Sequence, residues 1–250
     1  MASNMMAQQQ TQLKQSAEKF KNGEYAYCLV SNNQIVGEFW PVKGMNLVTK
    51  TTDPGVFNSN SDISTIQKNL GAVALAPDGM TGGSVGAYIM QGRCLSHGRP
   101  CGDGFEYQYG IVEISSTGYQ IKFTHKDEIK DFDAEYMNLK NSKATLFFLP
   151  SIYRNGKSSV SQKSIDKVLI RRETPTGPQI GVVIFYQMVT CDNAVKIILG
   201  LDRPNASKTT HIYVLDGGGI WGQSCRETND KTSVVGTRDP DAVTNYIVLY

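Results

Sequence analysis

Alternating apolar and polar positions run through most of the chain and predict a protein built largely of short β-strands. Tyr25, Tyr27 and Leu29 alternate with other residues, Asn32-Asn33 marks a turn, and a second run covers Ile35 to Trp40. Two such runs joined by a short asparagine turn are typical of a β-hairpin. The same reasoning predicts further strands at Ala72–Leu75, Val85–Met90, Tyr109–Ile114, Tyr119–Phe123, Ala144–Leu149, Lys167–Arg171, Ile180–Met188, Thr210–Leu215 and Tyr246–Leu249.

Two segments have helical character instead. Gln8 to Lys21 contains helix formers and few apolar positions, so residues 1–22 are predicted to be a polar N-terminal helix or arm. Thr190 to Leu201 carries Asp192 near its start and an apolar stripe at helical spacing. We therefore expect an α+β fold, with a mostly antiparallel or mixed β-sheet and packed helices in a single domain over residues 23–250.

The charge balance and hydropathy narrow the classes of partner. Lys and Arg number 25 against 23 Asp and Glu, a formal net charge of +2, which argues against a nucleic-acid partner. No apolar window is long enough to cross a bilayer, so no membrane partner is expected. The first 20 residues lack the apolar core of a signal peptide. We expect a soluble protein, secreted or periplasmic if a signal peptide has been removed and cytoplasmic otherwise.

Five cysteines are an odd number, so at least one thiol should be free in a monomer. Cys94 and Cys101 are close enough in sequence for a bridge across a loop, whereas buried apolar positions explain most of the others. Cys94, His97 and Cys101 would supply three zinc ligands, but no fourth ligand stands at familiar spacing. No metal site or other cofactor is therefore predicted. The sequence does not indicate an oligomeric state.

The strongest signal for a site is the run Asp216 to Gly219, an aspartate and three glycines directly after a predicted strand. Three successive glycines cost conformational entropy, which is usually explained by something approaching the backbone closely. Successive N–H groups in such a turn form a concavity suited to an anion, and Asp216 can orient a hydroxyl or a water. A tight strand connection without a ligand is the alternative.

These residues carry a resemblance to a known family. The segment Tyr213 to Gly219 resembles the aspartate-triglycine signature of the phosphodiester glycosidase family. Asp53 to Asn58 occupies the place of the family's Asn-Gly-Gly-Phe-Phe segment, and Arg171 to Thr174 is similar to its central Arg-Thr element. Arg238 and the strand that follows it resemble the closing arginine and the last strand. The chain departs from the family at Ile220-Trp221, where serine or threonine is common.

The resemblance implies a hydrolase that cleaves a glycosyl phosphodiester, such as an N-acetylglucosamine-1-phosphodiester, with a small sugar phosphodiester or glycan as its partner. Asp216 would be the essential carboxylate, because oxocarbenium character develops on the sugar. Candidates for water activation are Asp53, Glu106 and Glu173. Candidates for holding the phosphate and sugar are Gly217, Gly218, Gly219, Arg172, Arg238, His97 and Trp221.

Two other classes of function fit the same residues. A non-catalytic protein could use the pocket to sequester a phosphorylated sugar or nucleotide, and an assembly protein could use the polar arm for self-association. Of the remaining histidines, His125 stands among charged residues and is predicted to lie in a solvated turn. His211, at the start of a strand, is predicted to be structural.

Overall fold

The computed structural model of the protein describes residues 11–19, 25–49, 74–77, 87–90, 93–96, 110–131, 134, 138, 144–158, 164–215, 220–222, 233–235 and 245–250. Within these residues the architecture is three β-sheets in which neighbouring strands are antiparallel. One α-helix has described bounds, α1 at Cys191–Leu199, and a short 3-10 helix covers Lys126–Glu128.

The largest sheet has eight strands in the order β1-β2-β3-β14-β13-β15-β11-β12. Their bounds are β1 Thr11–Lys19, β2 Tyr25–Ser31, β3 Gln34–Val42, β11 Ser151–Arg154, β12 Lys157–Ser158, β13 Ser164–Thr174, β14 Gly177–Thr190 and β15 Lys208–Val214. Strands β13, β14 and β15 are neighbours at its centre, so the residues that precede Asp216 lie in the middle of this sheet.

Two five-stranded sheets complete the described part. One has the order β7-β6-β10-β8-β9, with bounds β6 Ala87–Met90, β7 Arg93–Ser96, β8 Gly110–Ile114, β9 Ile121–His125 and β10 Thr145–Leu149. The other has the order β17-β16-β5-β18-β4, with bounds β4 Met45–Thr49, β5 Ala74–Pro77, β16 Ile220–Gly222, β17 Ser233–Val235 and β18 Asn245–Leu249. The predicted strands in these sheets are confirmed with shifts of a few residues at their ends.

The predicted α+β class is wrong, because the described structure is mostly β with a large antiparallel sheet and α1 as its one helix longer than seven residues. The physical reason is visible at the N-terminus. The segment predicted to be a polar helix or arm forms strand β1, in which Thr11 lies opposite Ser31 and Leu13 opposite Leu29. Its helix propensity is a weak preference, and the backbone hydrogen bonds offered by β2 override it.

The predicted turn at Asn32-Asn33 and a second turn at Asn155-Gly156 both have positive φ angles. Asn32 and Asn33 have φ angles of 49° and 62° between β2 and β3. Asn155 and Gly156 have φ angles of 44° and 91° between β11 and β12. Two successive positive φ angles match the twist of a two-residue hairpin, and asparagine tolerates them better than most residues.

The core lies on both faces of the eight-stranded sheet. On one face, α1 packs with residues of β13, β14 and β15 such as Val168, Val183 and Ile212. On the other face, Trp40, Ile184 and Tyr213 pack with residues of β8 and β9 from a five-stranded sheet. The predicted helix is confirmed as α1, and the side-chain oxygen of its N-cap Thr190 accepts a hydrogen bond from Asn193 N at 3.3 Å.

Candidate active site

Two ionisable residues are fully buried in the centre of the eight-stranded sheet. Glu38 in β3 and Lys167 in β13 each have an exposed fraction of 0%. Both lie opposite Ile184 of β14, which stands between them. Directly opposed residues of antiparallel strands point to the same face, and two strand spacings are about 10 Å. A carboxylate and an ammonium therefore share the sheet face that carries Trp40, Ile184 and Tyr213.

Glu38 is held by two donors. Trp40 Nε1 donates to its Oε2 at 2.7 Å, and the Tyr186 hydroxyl donates to its Oε1 at 2.6 Å. Burying a carboxylate is costly unless hydrogen bonds or a positive charge compensate it. Such groups are retained in a core for conformational specificity or for function, and their presence marks this part of the sheet as a candidate site.

A β-bulge adjoins Lys167. Ile165 pairs with Val189 and Lys167 with Ile184, so Asp166 alone stands against four residues of β14. The bulge allows Asp166 to meet its neighbour: Lys167 Nζ donates to the two carboxylate oxygens at 3.0 and 3.1 Å. The Asp166 side chain is 21% exposed, whereas the Lys167 side chain is fully buried. Bulges occur often beside active sites, where they redirect a side chain.

The end of strand β15 and Leu215 lie beside this bulge. Val214 pairs with Val168, and Leu215 N donates to Lys167 O at 3.2 Å. Asp216 is the next residue along the chain. The segment Asp216 to Gly219 itself lies outside the described residues.

Arg172 and Glu173 lie at the opposite end of the same strand pair. They are opposite Thr209 and Lys208, at the start of β15. Six residues separate Thr209 from Leu215, which is about 20 Å along a strand. The structure therefore does not bring Arg172 and Glu173 together with the residue that precedes Asp216.

Arg172 is held by hydrogen bonds and an ion pair to the loop after α1, near the start of β15. Its Nη2 donates to Leu201 O at 3.0 Å and to Ser207 Oγ at 2.9 Å, and its Nε is 3.8 Å from Asp202 Oδ1. Asp202 Oδ1 in turn accepts from the backbone and the hydroxyl of Thr209, each at 2.8 Å. Burial lowers the pKa of Arg172, while Asp202 opposes that change. These contacts fix the loop after α1.

An open groove of about 640 Å³ lies over this corner, between residues Glu173 to Pro175 and Asp202 to Lys208. Glu173 faces it from a surface ion pair in which its Oε1 is 2.9 Å from Arg171 Nη2. Acidic and basic side chains both line the groove. Because the groove lies at the start of β15, it is distant from the bulge at Asp166.

Of the other predicted site residues, one lies in β16 and the rest lie outside the described residues. Trp221 belongs to β16, opposite Leu75 of β5 and Val234 of β17. The residues outside the described part are Asp53, His97, Glu106, Asp216, Gly217, Gly218, Gly219 and Arg238. Their roles stay predictions.

The two described histidines, His125 and His211, are buried, and Arg154 lies beside both of them. His125, predicted to be solvated, is instead 7% exposed, and its Nδ1 lies 2.7 Å from Arg154 Nη1. Burial and the Arg154 charge lower the pKa of His125. His211 packs against Tyr213 at a centroid distance of 5.6 Å, in agreement with a structural role. Burial lowers the pKa of His211 to about 4.

Cysteine chemistry differs from the expectation at one position. Cys28, opposite Glu38 in the neighbouring strand, is disulfide-bonded. The sequence predicts that Cys28 fills a buried apolar position, since no cysteine near it in the sequence suggests a disulfide. Cys191 is not in a disulfide and is buried at the start of α1, as expected.

Two kinds of feature are absent from the described residues. No three His, Cys, Asp or Glu side chains in the described part are grouped so that they could hold a metal ion. Within the same residues, none of the helices combines the length and the apolarity needed to cross a membrane.

The comparisons with known proteins include a distant structural neighbour. No family model and no curated protein matches the chain. Among solved structures, the catalytic domain of zebrafish N-acetylglucosamine-1-phosphodiester alpha-N-acetylglucosaminidase, auto-inhibited by its pro-peptide, is similar with a TM-score of 0.49 and 13% identity. The match covers 100% of this chain and 85% of that chain. A TM-score below 0.5 carries no argument about fold or activity.

The sequence reasoning missed the residues around the bulge. Glu38, Asp166, Lys167 and Tyr186 were not singled out, because a charged or phenolic residue inside an alternating run is typical of a solvent-facing position. A weak signal was present: Asp166-Lys167 directly precedes the apolar run Val168 to Ile170 of a strand that the sequence predicted.

Proposed function

We propose that the protein hydrolyses a glycosyl phosphodiester, of the N-acetylglucosamine-1-phosphodiester type, at the turn that follows β15. One observation carries the proposal: the amide of Leu215, the residue before Asp216, is bonded to the carbonyl of Lys167. The residue that precedes the segment resembling the phosphodiester glycosidase signature therefore lies beside a bulge with a buried ammonium and a partly exposed carboxylate.

Hydrolysis of a glycosyl phosphodiester requires few functional groups from the protein. Breaking the bond between the sugar C1 and a phosphate oxygen develops positive charge on the ring, which Asp216 would stabilise. The leaving phosphate is already anionic, so donors that hold its oxygens matter more than a strong acid. In the proposal, the N–H groups of Gly217 to Gly219 and the guanidinium of Arg238 are these donors.

Arg172 has no part in the proposed reaction. Its guanidinium is bonded to Leu201 O and Ser207 Oγ, and it stands about 20 Å along the sheet from Leu215. Trp221 and His97 keep their predicted role as contacts to the sugar, which the same assay can test by substitution.

The experiment is release of free sugar from a panel of glycosyl phosphodiesters that includes N-acetylglucosamine-1-phosphodiesters. Wild type should turn over at least one of them, and Asp216→Ala should lose at least about 100-fold in kcat while its melting temperature stays close to that of wild type. Glu113→Gln is the matched control, because Glu113 is a β8 carboxylate in a weak 3.9 Å pair with Lys122. Turnover that survives in Asp216→Ala would contradict the proposal.

A further inference from the structure

We propose that Asn205 is a modification site that carries an N-linked glycan. The chain contains one Asn-X-Ser/Thr triplet with a middle residue other than proline, and it is Asn205-Ala206-Ser207. This triplet is the acceptor motif for N-linked glycosylation, which modifies surface loops of secreted proteins. None of the three residues takes part in the proposed hydrolysis, so the two proposals stand or fall separately.

The triplet lies at the tip of a short closed loop after α1. Arg203 and Ser207 form an antiparallel bridge, in which Arg203 N donates to Ser207 O and Ser207 N donates to Arg203 O, each at 3.1 Å. The three residues between them, Pro204, Asn205 and Ala206, are exposed. Asn205 has a φ angle of 59°, in the left-handed region that asparagine adopts more readily than most residues. The bridge therefore holds Asn205 at the surface.

The surroundings of Asn205 leave room for a sugar. Asn205 lines the open groove of about 640 Å³ between residues 173–175 and 202–208. Because this groove opens to solvent, a bulky group on Asn205 Nδ2 displaces no core side chain. A glycan attached there covers the groove, which gives this surface a role that needs no small-molecule ligand.

The disulfide at Cys28 is an independent indication of the compartment. Cys28 lies in β2, far from the loop in sequence, and it is disulfide-bonded. Disulfides form and persist in oxidising compartments such as the lumen of the endoplasmic reticulum, and they are rare in the cytosol. N-linked glycans are transferred to protein in that same lumen. The bonded state of Cys28 and the acceptor motif at Asn205 therefore indicate one compartment.

The transfer balances as a substitution at a sugar carbon, with a polyprenyl-diphosphate oligosaccharide as the donor. Asn205 Nδ2 bonds to C1 of the first N-acetylglucosamine of the donor, and the bond from C1 to the diphosphate oxygen breaks. The electron pair of that bond leaves with the polyprenyl diphosphate. The amide nitrogen gives up one proton to a base of the transferase.

Ser207 supplies the hydroxyl that completes the acceptor motif. In the folded chain its Oγ accepts from Arg172 Nη2 at 2.9 Å and donates to Leu201 O at 3.4 Å. Because these bonds occupy the hydroxyl, we place the transfer on the newly synthesised chain, before the loop closes on Arg172.

The test is secretion of the full chain from eukaryotic cells, followed by treatment with peptide:N-glycosidase F in water enriched in ¹⁸O. Removal of an N-linked glycan converts its asparagine into aspartate labelled with ¹⁸O, which mass spectrometry locates in the tryptic peptide 197–208. Wild type should carry the label at Asn205. Asn193 is the matched control, because Asn193-Ala194-Val195 is an exposed asparagine followed by alanine but without the hydroxyl at the third position. It should stay unlabelled.

Two variants separate loss of the motif from loss of the fold. Asn205→Asp keeps the side-chain shape and the tolerance for a positive φ angle but removes the acceptor nitrogen. Its mobility in electrophoresis should not change on glycosidase treatment, while its melting temperature matches that of deglycosylated wild type. Ser207→Thr keeps the hydroxyl and should remain glycosylated. An unlabelled Asn205 in secreted wild type, or a glycosidase-sensitive mobility shift that persists in Asn205→Asp, would overturn the proposal.

Discussion

The amide of Leu215 donates to the carbonyl of Lys167 at 3.2 Å, and this bond ties the last described residue of the β15 segment to the bulge of β13. Lys167 also binds the carboxylate of Asp166 through its ammonium group. The candidate site is therefore built on the centre of the largest sheet, where neighbouring strands on both sides restrict movement.

Removing the Tyr186 hydroxyl should destabilise the sheet centre. Tyr186→Phe deletes a 2.6 Å hydrogen bond to the fully buried Glu38 carboxylate. Hydrogen bonds to charged groups contribute about 1.5–3 kcal/mol, so the free energy of unfolding in urea should fall by that amount. Tyr119→Phe is the control, because Tyr119 is 66% exposed. Equal losses in the two variants would contradict a special role for the Glu38 network.

Arg172 should matter for stability far more than its neighbour. Arg172→Met leaves Asp202 without its buried cation and removes the bonds to Leu201 O and Ser207 Oγ, so about 3–5 kcal/mol of stability should be lost. Arg171→Met removes only a partly exposed pair with Glu173 and should cost about 1 kcal/mol or less. Urea unfolding measures both. A small loss of unfolding free energy in Arg172→Met would contradict a structural role for these Arg172 contacts.

Acid should weaken the fold through His211. Its pKa is about 4 in the folded chain against 6.5 for a free histidine, because burial and the charges of Arg171, His125 and Arg154 disfavour the imidazolium, with Glu128 opposing them. Unfolded chains thus bind the proton first, so stability present above pH 6.5 is lost as the pH falls towards 4.

The size of the loss is up to about 3 kcal/mol, the equivalent of the pKa difference. Melting temperatures of wild type and His211→Phe between pH 7.5 and 4 measure it, because the variant lacks this proton. Wild type should lose more stability than the variant over that range. Parallel curves would contradict the lowered pKa.

Reduction should also destabilise the protein, since Cys28 is disulfide-bonded next to Glu38. Losing a native disulfide typically costs about 2–5 kcal/mol. Dithiothreitol should therefore lower the melting temperature of wild type and of Cys191→Ser alike, because Cys191 is a free thiol. Cys28→Ser should already start from the lower value. A melting temperature insensitive to dithiothreitol would contradict this expectation.

The local sequence pattern predicted many of the strands and turns, but little of how the strands pair with one another. The hairpin at Asn32-Asn33 and the N-cap Thr190 follow from turn and capping chemistry, and both are present. Strand β1 could not be predicted, because its pairing with β2 is a tertiary interaction that local propensity does not contain.

The candidate site also has a part that the sequence predicts and a part that only the structure shows. The aspartate-triglycine segment is visible in the sequence and its role stays a prediction, whereas the row of Glu38, Ile184 and Lys167 exists only through the register of three strands. Arg172 is a candidate for substrate binding only through a family-like element, and its bonds to Leu201 O and Ser207 Oγ are tertiary contacts that the sequence does not contain.

The most direct test of the central claim is hydrolysis of the preferred phosphodiester by wild type in water enriched in ¹⁸O, with both products analysed by mass spectrometry. If water attacks the sugar C1 at the turn after Leu215, the label must appear in the released sugar and be absent from the phosphate monoester. Label in the phosphate would mean that the bond from phosphorus to oxygen breaks, and that result would contradict the account.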